Sequence, residues 1–402
     1  MNSGEWFLAL SVFGTLLVLN ASSPRRGPVA LLPSWLAAFL TTDLAPWHLG
    51  VSAAVVVAFT FAGAFETAAG IVGFLLWVGS SAGLVHLWLP AVRARARAHR
   101  FADEAGFAPA RRVPRGDFFA PFARSRHGIA VTRDIEFRRV AGRVLKLDVY
   151  RPAAPGALRP ALVYLHGGGW VVGDKRNQGL PLCHQLARLG WVCFNANYRL
   201  SPGATWPDHL VDAKAAVAWV REHAAEHGAD PGFIAVAGGS AGAHIASMAG
   251  LTAGDATLQP GFEAADASVQ AVVSGYGVYD LTNEAGEHHD AFQTHMMGPL
   301  VLKAFPDTQP EVFRAASPVH RVSGDAPPWL VFHGEEDTLA PASEARAFVK
   351  ALEAASSNPV WYLEFPRAAH AFDIYTCHRA AAAVELAARF LVTARRDAAA
   401  TA

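Results

Sequence analysis

Residues 233–242 read FIAVAGGSAG: an apolar run, Phe233–Ala237, passes directly into Gly238-Gly239-Ser240-Ala241-Gly242 and then into small residues with helical spacing. A chain that changes from strand to helix within five residues must reverse sharply, and small neighbours around the serine leave room for that turn. The stretch therefore reads as a G-x-S-x-G elbow. Ser240 would sit at the tip of a strand and the start of a helix, where backbone N–H groups favour developing negative charge. A glycine-rich loop with a capping serine carries similar letters, but the strand before and the helix after favour the elbow.

Outward from the elbow, short apolar runs alternate with helical patterns. Ala161–Leu165, Trp191–Ala196, Val269–Ser274, Trp329–Phe332 and Val360–Phe365 read as strands. Helices are predicted around Leu180–Leu189, from Pro207-Asp208, from Ala241, near Glu344–Ala355 and over about Arg379–Thr393. Strands rich in β-branched and aromatic residues, separated by helices, predict an α/β fold with a parallel sheet covered on both faces. Ile129–Phe137 and Val144–Tyr150 alternate apolar and polar residues, as an antiparallel pair would. In such sheets chemistry sits at the carboxyl ends of the strands.

Two more motifs occupy strand ends. His166-Gly167-Gly168-Gly169-Trp170 follows Ala161–Leu165, and its glycines let backbone N–H groups approach a substrate oxygen. The N–H groups of Gly168, Gly169 and Ala241 are the expected oxyanion hole, with His166 and Gly167 as supporting loop. A phosphate loop is the competing reading, but its Gly-Lys-Ser/Thr ending is missing. A serine nucleophile needs a base, and the base an orienting carboxylate. Asp337 follows Trp329–Phe332 and His370 follows Val360–Phe365, giving Ser240, Asp337, His370 in the chain order of this kind of triad. Strand-end position singles out His370 among 17 histidines, and Glu336 is the alternative acid.

On these segments, with Asn197-Tyr198-Arg199-Leu200 and the Pro207–Val220 helix, residues from about 127 to 395 resemble the α/β-hydrolase superfamily. The resemblance is to its HGGG-carrying esterase and lipase branch, hormone-sensitive-lipase-like and carboxylesterase-like. It implies an α/β-hydrolase fold and a serine hydrolase that cleaves carboxylic esters through an acyl-enzyme. Arylformamidase-like amide cleavage, acyl transfer and a non-catalytic ligand-binding scaffold are the alternatives. One position departs from the hormone-sensitive-lipase-like pattern, which has Asp before the serine where this chain has Gly239. Gly-Gly-Ser-Ala-Gly-Ala-His is also similar to feruloyl-esterase-like and arylformamidase-like sequences.

The first ninety residues differ from the rest. Trp6–Leu19, Pro28–Thr42, Leu49–Phe65 and Ile71–Val92 are apolar runs, and Asp43 and Glu66 are the only acids between Glu5 and Asp103. A membrane-crossing helix needs about 20 apolar residues, so residues 1–92 are expected to form a transmembrane helical region. A cleaved signal peptide lacks support, because Glu5 is the only charged side chain before Trp6. Arg25 and Arg26 follow the first run, and Arg93, Arg95, Arg97 and Arg100 follow the last. Keeping both clusters cytoplasmic gives three spans from the first, third and fourth runs, with the Pro33-interrupted second run interfacial or re-entrant. The catalytic part would then face the cytoplasm. Residues 93–126 read as a basic juxtamembrane linker, 127–395 as the catalytic domain, and about 281–326 as a cap insertion whose Phe292, Met296, Met297, Leu300 and Phe305 would receive an acyl chain.

Charge and cysteine content narrow the partners. The formal net charge is zero, which gives no reason to expect nucleic acid. Cys183, Cys193 and Cys377 are odd in number without CxxC spacing, so neither a disulfide framework nor a zinc site is expected. His288, His289, Asp290 and His295 read as a solvated segment. Asp208 and Asp212 read as a helix start and a surface face, and Tyr198-Arg199 as a buttress of the oxyanion loop. No metal or organic cofactor is expected; the expected partners are a small-molecule ester or lipid substrate and a membrane.

Overall fold

The architecture comes from a computed structural model, which describes residues 1–25, 27, 29–114, 126–284, 286 and 292–401. Eight strands form one sheet: β1 (Ile129–Val140), β2 (Arg143–Pro152), β3 (Arg159–Leu165), β4 (Val192–Ala196), β5 (Ala229–Gly239), β6 (Ala271–Gly275), β7 (Trp329–Gly334) and β8 (Val360–Phe365). Their spatial order is β1-β2-β4-β3-β5-β6-β7-β8. β2 is antiparallel to β1 and β4, and every other pairing is parallel.

The central strands are buried on both faces, so their side chains divide by period 2. Val163, Phe194, Val236, Val272 and Val331 meet α6 (Asp208–His223), α7 (Ala241–Leu251) and α9 (Ala342–Ala355) on one face. Leu162, Tyr164, Ala235, Val273 and Leu330 meet α5 (Leu180–Arg188) and α10 (His378–Thr401) on the other. Fully burying a valine or leucine contributes roughly 1.5–3 kcal/mol, and both faces are lined with such residues. α8 (Pro310–Ala315) and a π-helical segment, Phe292–Leu302, lie in the insertion between β6 and β7. There Met297 and Val301 belong to the buried core.

The N-terminal residues form α1 (Ser3–Ser22), α2 (Leu31–Asp43), α3 (Ala45–Phe61) and α4 (Ala68–Glu104). α1 and α4 are long and apolar enough to cross a membrane, while α2 and α3 pass that test only together, bent by 80°. α1 and α4 run side by side in the same direction. A side chain on Gly4 would overlap Thr67, one on Gly73 would crowd Phe7, and one on Gly83 would crowd Val18. Small residues at such crossings let helices approach closely.

Three expectations need correction. Pro33 does not interrupt the second run; it lies in the first turn of α2, where its missing N–H would have no helical partner. The basic linker does not begin at residue 93, because α4 continues as one helix to Glu104. Ala91, Ala94, Ala98 and Ala102 are buried along it. Glu385 on α10 accepts from Arg95 Nε at 2.8 Å, pairs with His99 Nε2 at 2.9 Å and accepts the Val113 N–H at 2.7 Å. Arg95 is therefore paired within the protein. Residues 115–125 of that linker, and His288, His289 and Asp290, lie outside the described residues. At the other end, α10 runs past residue 395 to Thr401.

Candidate active site

β5 ends at Gly239 and α7 begins at Ala241, so Ser240 alone makes the turn. Its backbone has φ 56° and ψ −126°, a conformation that costs a non-glycine residue about 1–3 kcal/mol. The turn is held by the Ser240 N–H, which donates to the Gly275 carbonyl at 3.0 Å. Asp337 follows β7, and His370 lies in the loop between β8 and α10.

The structure brings these three side chains together. Ser240 Oγ is 2.7 Å from His370 Nε2, and His370 Nδ1 is 2.6 Å from Asp337 Oδ2. The other Asp337 oxygen accepts the N–H groups of Leu339 and Ala340, each at 2.9 Å. Burial by itself would raise the Asp337 carboxyl. His370 and His333 beside it win, and hold it well below the usual carboxylate range. His333 was not foreseen: its Nε2 donates to the Ala340 carbonyl at 2.8 Å and lies 3.3 Å from Asp337 Oδ2. Glu336 instead faces Arg367 at 3.5 Å.

The HGGG loop lies against the elbow. A Cβ on Gly167 would stand 3.0 Å from Ser240 Cβ. The Gly167 N–H is already taken by Gln178 Oε1 at 2.7 Å. Gly168 has φ 123°, open in practice only to glycine, and its carbonyl accepts from Val171 and Val172 at 3.1 and 3.0 Å. The N–H groups of Gly168, Gly169 and Ala241 have no protein acceptor among the described residues. This arrangement can stabilise an oxyanion formed beside Ser240.

His166 lies beneath, stacked on Tyr198 at 4.5 Å, with the Tyr198 hydroxyl donating to the His166 carbonyl at 2.8 Å. Burial pushes the His166 imidazole below its ordinary value, which suits a structural role. Arg199 binds Asp212 through Nε at 2.7 Å. Asp212 is therefore not a surface residue; it is fully buried on α6. Asp208 opens α6 and accepts the Thr205 N–H at 3.1 Å.

Gly239 has a physical reason. A Cβ there would overlap the hydroxyl of Tyr276, which donates to Asp373 and sets its ring edge-on to His370 at 5.0 Å. Gly239→Asp is therefore expected to push Tyr276 into the His370 loop and lower kcat at least about tenfold, since small misplacements near the chemistry are costly. Kinetics on a short soluble ester would test this, and wild-type kcat would contradict it.

Two further histidines are buried. His244, on α7, accepts from Trp170 Nε1 at 3.3 Å and donates from Nε2 to the Ala316 carbonyl at 2.7 Å. His209 lies 3.0 Å from Ser201 Oγ. Burial pulls each down to about 4. The unfolded chain thus takes up protons first as pH falls. Their neutral burial favours folding above about pH 6.5, and stability is lost from there toward pH 4, on the order of 1 kcal/mol per pH unit for each histidine. Thermal unfolding at pH 7, 5.5 and 4.5 should show a falling midpoint; a flat profile would contradict this.

The strand order, with its elbow at the end of β5, defines an α/β-hydrolase. Within that class the chain belongs to the BD-FAE family, whose model matches residues 147–352. It is 45% identical to Esterase LipQ of Mycobacterium tuberculosis over 65% of this chain and 62% of that protein. The chain thus spans less than two thirds of that curated relative. Among solved structures it is similar to Thermogutta terrifontis esterase 2 with propionate bound, at 30% identity and TM-score 0.55, covering 66% of this chain and 94% of that one. The same esterase phosphonylated by sarin matches at 30% identity and TM-score 0.52, over 62% and 88%.

Proposed function

We propose that the protein is a membrane-anchored serine carboxylesterase. The chain of contacts from Ser240 through His370 to Asp337 is the observation that carries this reading. Ser240 Oγ attacks the ester carbonyl while His370 takes its proton, with Asp337 holding the imidazole tautomer. The tetrahedral oxyanion is received by the N–H groups of Gly168, Gly169 and Ala241. Collapse breaks the C–O bond and His370 returns the proton to the departing alkoxide, leaving an acyl-serine. Water, deprotonated by His370, then attacks the acyl carbonyl; the bond to Ser240 Oγ breaks, His370 returns the proton to that oxygen, and the acid leaves. The esterase names of the mycobacterial and Thermogutta relatives support the ester-cleaving chemistry.

The substrate is an apolar, lipid-like ester. Met296 lies against Gly169 and the exposed Val172 against Gly168, which supports an apolar acyl group. The N-terminal helices serve as anchor, with α1 and α4 crossing in the same sense and α3 returning between them. That parallel arrangement puts Arg25 and the Arg93–Arg100 cluster at one end, which supports a cytoplasmic catalytic domain.

The test is labelling of the full chain in detergent with a fluorophosphonate probe, followed by mapping of the modified peptide and hydrolysis of p-nitrophenyl esters of increasing chain length. Labelling at Ser240 with ester turnover is expected. An unlabelled Ser240 in folded protein would end the proposal.

A further inference from the structure

α2 lies along the loop that carries His370. Its residues Trp35, Phe39 and Asp43 are spaced by four, so they share one helix face. Trp35 Nε1 donates to the His370 carbonyl at 3.1 Å, and the two rings meet edge-on at 6.3 Å. Phe39 stacks on Trp35 at 5.8 Å and packs against Tyr375 at 4.9 Å. Asp43 Oδ1 binds Arg379 Nη1 at 2.8 Å, with both side chains buried. Three successive turns of α2 thus hold three successive points of the 370–379 segment.

The contact at His370 is directional. Among the described residues, no donor other than Trp35 reaches the His370 carbonyl. The next residue, Ala371, has φ 63°, so the backbone there depends on its surroundings to keep its shape. Tyr276 also packs against the same imidazole, edge-on at 5.0 Å. His370 thus touches one ring of the sheet domain and one ring of the N-terminal region.

We propose that Trp35 is a positioning residue for His370, so that α2 of the N-terminal region completes the active site. This rests on the reading of Ser240, His370 and Asp337 as a triad. Trp35 touches neither substrate nor reacting atoms; it fixes the peptide from which the imidazole projects. Its effect belongs to kcat, because the imidazole acts in proton transfer, while KM for a short ester that does not reach α2 should be unaffected.

The experiment compares full-length wild type, Trp35→Phe, Trp35→Ala and the control Trp6→Phe in the same detergent. Each is measured for kcat and KM on p-nitrophenyl acetate, for fluorophosphonate labelling rate and for unfolding temperature. Trp35→Phe keeps the ring and loses the donor, and is expected to lower kcat and labelling about fivefold, with KM within about twofold. Trp35→Ala should lower them further, and Trp6→Phe should behave as wild type. Trp35→Phe with wild-type kcat and labelling rate overturns the proposal, whatever Trp35→Ala does. Failure of wild type itself to label would instead remove the triad reading.

Discussion

Replacing Ser240 by alanine is expected to lower kcat toward p-nitrophenyl esters about 10⁴–10⁶-fold, with the protein still folded. The size follows from the geometry. Ser240 Oγ is the group within hydrogen-bond reach of His370 Nε2, so its removal takes away the nucleophile and leaves only the polarising N–H groups around it. Alanine fits the same elbow, because the positive φ belongs to the turn and not to the hydroxyl. Asp337→Asn should come close, at about 10⁴-fold. Asp337 accepts two backbone N–H groups through one oxygen and faces His370 Nδ1 with the other. An asparagine that satisfies the backbone with its carbonyl turns its NH₂ toward His370 and reverses the tautomer. Combining the two changes should cost no more than Ser240→Ala alone, since the groups act as a unit. Steady-state kinetics with circular dichroism on each variant checks this. A folded Ser240→Ala that retains a tenth of wild-type turnover would reject the role of Ser240.

How much of this could be read from the sequence depends on how local each signal is. The sheet was legible because strands buried on both faces must be short apolar runs, as Leu162–Leu165 and Ile234–Ala237 are. Ser240, Asp337 and His370 stand out in the sequence because each lies a few residues beyond the end of such a run. Features fixed by distant partners were not legible. Asp212 reads as a surface acid until Arg199 is seen to bury it. Arginines from 93 to 100 hide an alanine stripe at helical spacing, which has meaning only against α10. Gly239 is an unexplained departure until Tyr276 is seen to fill the space above it. Trp35 is separated by 335 residues from the carbonyl it binds, and within an uncharged apolar run it looks like any membrane tryptophan. The one local hint was Asp43, an acid at the end of that run on the same face as Trp35 and Phe39.

That acid carries the second large effect. Arg379→Met is expected to destabilise the full chain by about 3–5 kcal/mol, because it leaves the Asp43 carboxylate buried without its cation. Asp43 Oδ1 has Arg379 at 2.8 Å and the Cys377 thiol at 3.7 Å, while Oδ2 has no partner among the described residues. Arg379 is equally committed, with the Pro366 carbonyl its only other acceptor among the described residues, at 3.4 Å. Asp43→Leu alone should therefore be costly as well, by stranding the guanidinium. The pair as a whole is another matter. Two buried charges with an unsatisfied oxygen give back much of their attraction as lost hydration, so Asp43→Leu with Arg379→Met should restore stability to within about 1 kcal/mol of wild type, or exceed it. In thermal unfolding in detergent, each single variant should melt about 5 °C lower and the double variant near wild type. Additive losses in the double variant would mean that the two side chains act through separate contacts. Full recovery would identify the pair as the device that seats α2 in one register, leaving apolar packing to supply the strength of the joint.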